Sequence, residues 1–94
     1  MKALSQLQDE HAVEIAKIAA RRPGHFSLDD ADITRHKNSI DVVFIDKLDE
    51  VININFNGDV LLYRQVDSNH KIIEERVNGI VEIVDTYRKL GYDL

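Results

Sequence analysis

The chain contains 94 residues, of which 44% are hydrophobic and 31% are charged, and it has no cysteine. This length fits one domain with a modest core, and the hydrophobic content is too high for a disordered chain. Without cysteine the protein has neither disulfides nor thiolate metal ligands, so its core alone must stabilise it. We therefore expect a single domain over residues 1–94 in a reducing, cytoplasmic environment.

The net charge of −5 is distributed unevenly along the chain. Residues 1–37 hold six of the 12 basic and six of the 17 acidic side chains, so residues 38–94 hold six basic and eleven acidic ones. A negative field repels phosphate backbones, which makes nucleic acid an unfavourable partner. The N-terminal residues open no apolar signal segment, and no apolar run reaches the length of a bilayer span, so we expect no membrane association.

The first predicted element is an amphipathic helix from Gln6 to Arg21. Ser5 and Gln8 have the spacing of a capping box, and Pro23-Gly24 is expected to end the helix. Its apolar face has helical spacing and consists of Leu4, Leu7, His11, Ile15 and Ile18, widened by Ala12, Ala16 and Ala19. The pattern predicts that this face is buried in the core.

Residues 23–38 follow no regular pattern, and the sequence leaves their role open. Ser27-Leu28-Asp29-Asp30 fits a single helical turn, and residues 33–36 fit a short edge strand. Irregular stretches of this length inside a compact domain are often functional or disordered.

Three β-strands are predicted from segments rich in β-branched and aromatic residues, namely Ile40–Ile45, Val51–Phe56 and Val60–Val66. Asn57-Gly58 lies between the second and the third strand. This dipeptide favours a two-residue type I′ turn, in which both residues have positive φ. The two strands are therefore expected to form a hairpin.

The register of the third strand has two solutions. A two-residue turn places Leu61 and Tyr63 on the inner face of the sheet and leaves Val60, Leu62 and Val66 on the outer face. A three-residue turn reverses that assignment, because successive side chains of a strand point to opposite faces.

A long helix is predicted from Asn69 to Leu90, with N-cap candidates at Asp67 and Ser68 and a left-handed cap at Gly91. Its buried stripe is expected to comprise Ile73, Val77, Ile80, Val84 and Tyr87. The order of elements predicts an α+β fold, αβββα, in which a three-stranded antiparallel meander carries both helices on one face.

No sequence motif for catalysis, metal binding or cofactor binding is visible. His11, His25 and His36 are not at ligand spacing, and the paired carboxylates lie on predicted helices whose other face is apolar. We expect no enzyme, no cofactor and no metal. A small-molecule or metal-binding domain around these histidines remains as a third hypothesis.

Two basic clusters flank the irregular segment and support an alternative function. A nucleic-acid-binding module would use residues 21–37, with Arg21, Arg22, Arg35 and Lys37 on the phosphates. The competing interpretation is that these residues cap a helix and solvate a loop, because only Phe26 is available nearby to stack on a base.

An acidic surface is predicted at the turn after the first strand of the meander, with Asp46, Asp49 and Glu50 as its residues. It favours a small, acidic, non-catalytic binding or regulatory protein that docks on a protein partner with a basic surface. Inhibitors and adaptors of phages and mobile elements are of this class. The free strand edges and apolar residues on the outer sheet face also favour a homodimer.

Overall fold

The computed structural model describes residues 1–65, 72–76 and 80–93. The strands are β1 (Lys2–Ala3), β2 (Ala31–Arg35), β3 (Ser39–Phe44), β4 (Glu50–Asn55), β5 (Val60–Gln65), β6 (Ile72–Arg76) and β7 (Tyr92–Asp93). The helices are α1 (Asp9–Ala19) and α2 (Ile80–Leu90), and short 3-10 helices lie over Leu4–Gln6 and Leu28–Asp30. Among the described residues, no helix is long and apolar enough to cross a bilayer.

The main sheet is an antiparallel meander with the strand order β2-β3-β4-β5-β6. The predicted α+β class is therefore confirmed, and so are the three central strands within one residue at each end. The predicted number of strands is too small, because β2 extends one edge and β6 the other. The sequence had indicated β2 as a short edge strand, but it had assigned β6 to a helix.

The prediction of one helix from Asn69 to Leu90 is wrong in its first half. Ile72–Arg76 is a strand paired with β5, and among the described residues α2 covers Ile80–Leu90. β-Branched residues favour a strand wherever a neighbouring edge can accept their backbone hydrogen bonds, and β5 supplies that edge. Gly91 has φ +93°, which confirms the predicted left-handed cap. The proposed N-caps, together with Val66, Val77 and Gly79, lie outside the described residues.

The first helix is shorter than predicted at both ends. At its N-terminal end, Leu4–Gln6 forms a separate 3-10 turn. The expected capping box of Ser5 with Gln8 is wrong. Instead, the backbone N–H of Ala3 donates to the side-chain oxygen of Gln6, at 3.0 Å. The C-terminal end is a Schellman motif in which Arg21 takes the left-handed position, with φ +54°. Its N–H and that of Arg22 return to carbonyls of the last helical turn.

The core lies between one face of the sheet and α1, which packs on β3 and β4, while α2 packs beside α1. The predicted stripe of α1 is buried, apart from half-buried His11 and Ile18. The sheet contributes Ile40, Val42, Phe44, Ile52, Ile54, Val60 and Leu62. In α2, Ile83 and Tyr87 are buried, but Ile80 is exposed, contrary to prediction. Burial raises the pKa of Tyr87, whose hydroxyl has no hydrogen-bond partner among the described residues.

Of the two predicted alternatives, the hairpin between β4 and β5 has the three-residue turn. Ile54 lies opposite Val60 and Ile52 opposite Leu62, so Val60 and Leu62 are buried in the core. Gly58 has φ +104°, but Asn57 does not have positive φ, so the type I′ turn is wrong. A type I turn followed by a left-handed glycine satisfies the same Asn-Gly sequence. The apolar outer patch expected from Val60 and Leu62, one ground for a homodimer, is absent.

Replacing Gly58 with valine is expected to lower the free energy of unfolding by about 1–3 kcal/mol, because a β-branched residue is strained at positive φ. Gly58→Asn is the matched control, since asparagine tolerates the left-handed region and should change stability much less. Chemical denaturation followed by circular dichroism measures both variants. Equal stability of the valine variant and the wild type would show that the turn has a different conformation.

The two ends of the described chain meet in a parallel pair that the sequence analysis did not predict. Lys2 lies opposite Tyr92 in the ladder of β1 and β7. The Tyr92 side chain is fully buried, and its hydroxyl accepts a hydrogen bond from the backbone N–H of Gln8, at 3.1 Å. The same hydroxyl lies 2.7 Å from Nδ1 of His11. The residues after α2 are thereby fastened to the start of α1.

Candidate functional site

The turn between β3 and β4 exposes two large apolar side chains. Ile45 and Leu48 are 52% and 71% exposed there, although both are large and apolar. We call this region, residues 45–49, the turn surface. Its backbone is held by hydrogen bonds from Lys47 N–H to the Phe44 carbonyl, at 3.0 Å, and from Ile45 N–H to the Asp30 carbonyl, at 3.0 Å. The turn is therefore tied both to its own strand and to the segment that precedes β2.

A side chain from the end of α1 braces the turn surface. Arg22 donates two hydrogen bonds to Asp46, from Nη1 to Oδ1 at 2.7 Å and from Nη2 to Oδ2 at 2.5 Å. Its guanidinium group also lies over the rings of Phe26 and Phe44, 4.8 and 4.9 Å from their centroids. The two rings are themselves in contact, with centroids 4.8 Å apart. A planar guanidinium is suited to both contacts at once.

The electrostatics of this brace follow from its geometry. The bidentate hydrogen bond with Arg22 holds the pKa of Asp46 below its ordinary value. The same hydrogen bond raises the pKa of Arg22. Both groups are thus charged at any ordinary pH, and the negative charge of Asp46 is largely compensated within the chain. Asp46 is 56% exposed on its side chain, so the pair is screened by solvent.

The predicted acidic surface is only partly formed. Asp46 and Asp49 are exposed, but Glu50 is buried, at 3% exposure, on the inner face of β4. The carboxylate of Glu50 accepts a hydrogen bond from Arg64 of β5, at 3.2 Å. The assignment of Glu50 to an exposed surface is therefore wrong, because the alternation of β4 turns it toward the core. Asp49 is the acidic residue of the three that has no ion pair in the described part of the chain.

The four basic residues predicted for nucleic-acid binding do not form one patch. Arg21 and Arg22 follow the C-terminal end of α1, whereas Arg35 donates to Asp9 at its N-terminal end. At 1.5 Å per residue, these ends are about 16 Å apart. Arg22 and Arg35 are also both engaged in ion pairs within the chain. Arg21 and Lys37 remain exposed, but they lie at the two different ends.

The histidines of the third hypothesis lie in separate places. Nδ1 of His11 faces the Tyr92 hydroxyl, Nε2 of His36 lies 2.8 Å from Asp41, and His25 is exposed in the loop after α1. Within residues 1–65, 72–76 and 80–93, no group of three metal-ligating side chains is close enough to hold an ion. The structure therefore does not bring these histidines together.

A shallow groove of about 610 Å³ runs between the C-terminal half of α1 and α2. Its polar lining mixes both signs of charge, with Lys17 and Arg21 against Glu14 and Glu82. Such a lining does not select an anion or a cation. The groove is therefore a weaker candidate for a binding site than the turn surface.

Sequence reasoning missed the apolar residues of the turn surface. It considered only the acidic residues of this turn and treated Ile45 as the last residue of the strand. The available signal was Leu48, an apolar residue between charged ones at a position where leucine does not stabilise a turn. The brace by Arg22 could not have been predicted, because its two partners are 24 residues apart in the chain.

Comparisons with known proteins add no relative. The chain matches no protein-family model, no curated protein and no solved structure. Its function must therefore be argued from its own geometry.

Proposed function

We propose that this protein is a non-catalytic binding protein, acting in the cytoplasm as an inhibitor or adaptor that occupies a surface of another protein. The observation that carries the proposal is the pair of exposed apolar side chains, Ile45 and Leu48, on a braced turn. Exposure of two large apolar side chains to water is unfavourable, and a contact that covers them lowers the free energy.

The brace by Arg22 makes the turn surface suitable for binding. A turn held by a bidentate ion pair and two backbone hydrogen bonds loses little conformational entropy when a partner docks. Apolar side chains on a preorganised frame gain most when they are fully desolvated in a well-packed pocket of the partner. We expect Ile45 and Leu48 to enter an apolar depression of the partner.

The charges around Ile45 and Leu48 indicate which residues of the partner would surround its apolar depression. Asp46 is compensated by Arg22, while Asp49 is exposed beside Leu48. The net charge of −5 adds a long-range negative field. A partner with basic residues around this depression would therefore associate faster, and the association rate would fall as ionic strength rises. A nucleic acid is less suitable, because Arg22 and Arg35 are occupied by carboxylates of the same chain.

The proposal is tested by removing the apolar anchors without disturbing the brace. The double variant Ile45→Ser and Leu48→Ser should weaken partner binding by about a hundredfold or more, because burying two such side chains contributes about 3 kcal/mol or more. The matched control is Ile80→Ser with Val81→Ser, which removes two exposed apolar side chains from α2 instead. Partners are captured from lysate of the native host with wild type and both variants in parallel, and affinities are measured by calorimetry.

A protein retained by the wild type and the control but lost from the turn variant supports the proposal. A protein lost only from the α2 control would contradict it.

Asp49→Lys should slow association and reduce its salt dependence, with no change in the melting temperature.

Fluorescence polarisation with a labelled oligonucleotide tests the alternative. Binding that disappears with Arg21→Ala and Lys37→Ala, while the turn variant is unaffected, would favour a nucleic-acid module.

A further inference from the structure

The strand β2 forms an edge of the main sheet, and the hydrogen-bond pattern shows which of its backbone groups are free. His36 N–H donates to the Ser39 carbonyl, and Ile45 N–H donates to the Asp30 carbonyl. These bonds flank the β2-β3 ladder, and in an antiparallel ladder every second pair is hydrogen-bonded. The backbone groups of Asp32 and Thr34 therefore face β3, and those of the odd-numbered residues face away from the sheet.

The outward backbone groups of Ile33 and Arg35 have no hydrogen-bond partner among the described residues. Of the outward groups in the described part of the chain, the N–H of Ala31 is occupied, by the carbonyl of Leu28. β2 is short and carries Asp32 and Arg35, but it contains neither a proline nor a bulge, two of the devices that block an edge strand. The edge is thus able to accept another strand.

The charges along this edge have opposite signs at its two ends. Asp29, in the 3-10 helix before β2, and Asp32 are exposed at one end, and Lys37 is exposed just after the other end, where Arg35 is already paired with Asp9. When two copies of such a strand lie antiparallel, the acidic start of each lies beside the basic end of the other. The edge is complementary to itself, so a second copy of this chain is the partner that it fits.

We propose that two copies of the chain pair antiparallel along β2, with Ile33 facing its counterpart on the two-fold axis. The two isoleucines exchange backbone hydrogen bonds, and each Arg35 N–H donates to the Ala31 carbonyl of the other copy. Asp32 lies opposite Thr34, and the 3-10 helix that carries Asp29 lies beside the bend that carries Lys37 in the other copy. The result is a continuous sheet of ten strands, with the half-buried Ile33 side chains adjacent on the core side.

Side chains select this register over its neighbours. A shift that centres the pair on Asp32 places two carboxylates directly opposite each other, which is unfavourable. A shift that centres it on Thr34 places Ile33 against Arg35, and it leaves Ala31 unpaired. The interface is small in each case, so we expect a weak dimer that forms between micromolar and millimolar concentration.

A charge swap tests the contact between copies. Asp29 and Lys37 form no ion pair in the described residues, and β2, which spans about 17 Å, separates them within one chain. Lys37→Glu alone and Asp29→Lys alone should each weaken dimerisation severalfold in sedimentation equilibrium. The double variant should restore wild-type association, because each new pair again has opposite charges. Melting temperatures of the three variants verify that the monomer is intact.

Cysteine cross-linking tests the register, since the chain has no cysteine of its own. Ile33→Cys should form a disulfide-linked dimer readily under mild oxidation, because residues facing each other in an antiparallel pair are about 5.5 Å apart at Cα. Thr34→Cys is the matched control, since its counterpart is displaced along the strand beyond disulfide reach.

Faster cross-linking at position 34 than at 33 would overturn the proposed register. A monomer at millimolar concentration, or a dimer whose single charge variants are not rescued by the double variant, would overturn the proposal. Neither result would affect the proposed function, because the turn surface lies outside β2 and is tested by different variants.

Discussion

Replacing Phe44 with alanine is expected to lower the free energy of unfolding by about 3–5 kcal/mol. The ring is 1% exposed, at the end of β3, and its removal leaves a cavity beneath the turn surface. It also removes one of the two rings on which the Arg22 guanidinium rests. For a domain with a total stability of about 5–15 kcal/mol, a loss of this size is a large fraction of the whole.

Urea denaturation followed by circular dichroism measures the effect, and Phe44→Leu is the matched control. Leucine retains most of the apolar volume, so its cost should be about 1.5 kcal/mol. A loss below about 1 kcal/mol for the alanine variant is too small for a filled core position. Such a result would show that Phe44 is not packed as described.

Replacing Tyr92 with alanine is expected to have an effect of similar size, about 3–5 kcal/mol. Tyr92 is fully buried, packs edge-on against Tyr87 with ring centroids 6.4 Å apart, and hydrogen bonds to two groups at the start of α1. The substitution removes the core contact and also the link between the residues after α2 and the N-terminal end of the helix.

Tyr92→Phe separates the two contributions. It keeps the ring but leaves the Gln8 N–H and the His11 ring without the hydroxyl, which should cost about 1–3 kcal/mol. Thermal unfolding gives the order of the variants, since about 1 kcal/mol lowers the melting temperature of a domain this small by about 4–8 °C. If the phenylalanine variant is as stable as the wild type, solvent satisfies the two groups and the hydroxyl is not structurally important.

Much of the fold was predictable wherever a local pattern had one interpretation. The alternation of Ile52 and Ile54 with asparagines predicted β4, and the apolar spacing of α1 predicted its buried face. Gly91 predicted the end of α2, because a left-handed residue is needed there. In these cases the backbone preference, the side-chain period and the burial all favour the same structure.

The register of β5 could not be predicted, because the sequence allowed two alternatives. Asn-Gly permits a two-residue turn and also a three-residue turn, so the local signal did not choose between them. Burial of Val60 and Leu62 against the core decided in favour of the longer turn. Glu50 was missed for a different reason. The alternation that places Ile52 and Ile54 inside also places Glu50 there, but the predicted strand began at Val51 and left Glu50 in the turn.

The amino-acid sequence by itself determined the class of the fold, the three central strands of the meander with the turn between β3 and β4, and the buried face of the first helix. Only the tertiary structure decided that Ile72–Arg76 is a strand, that Arg22 braces Asp46, and that the start of the chain pairs with Tyr92–Asp93. The physical reason is distance along the chain. Short-range preferences act within a few residues, whereas a strand edge, an ion pair or a buried hydroxyl obtains its partner from residues that only the folded chain brings near.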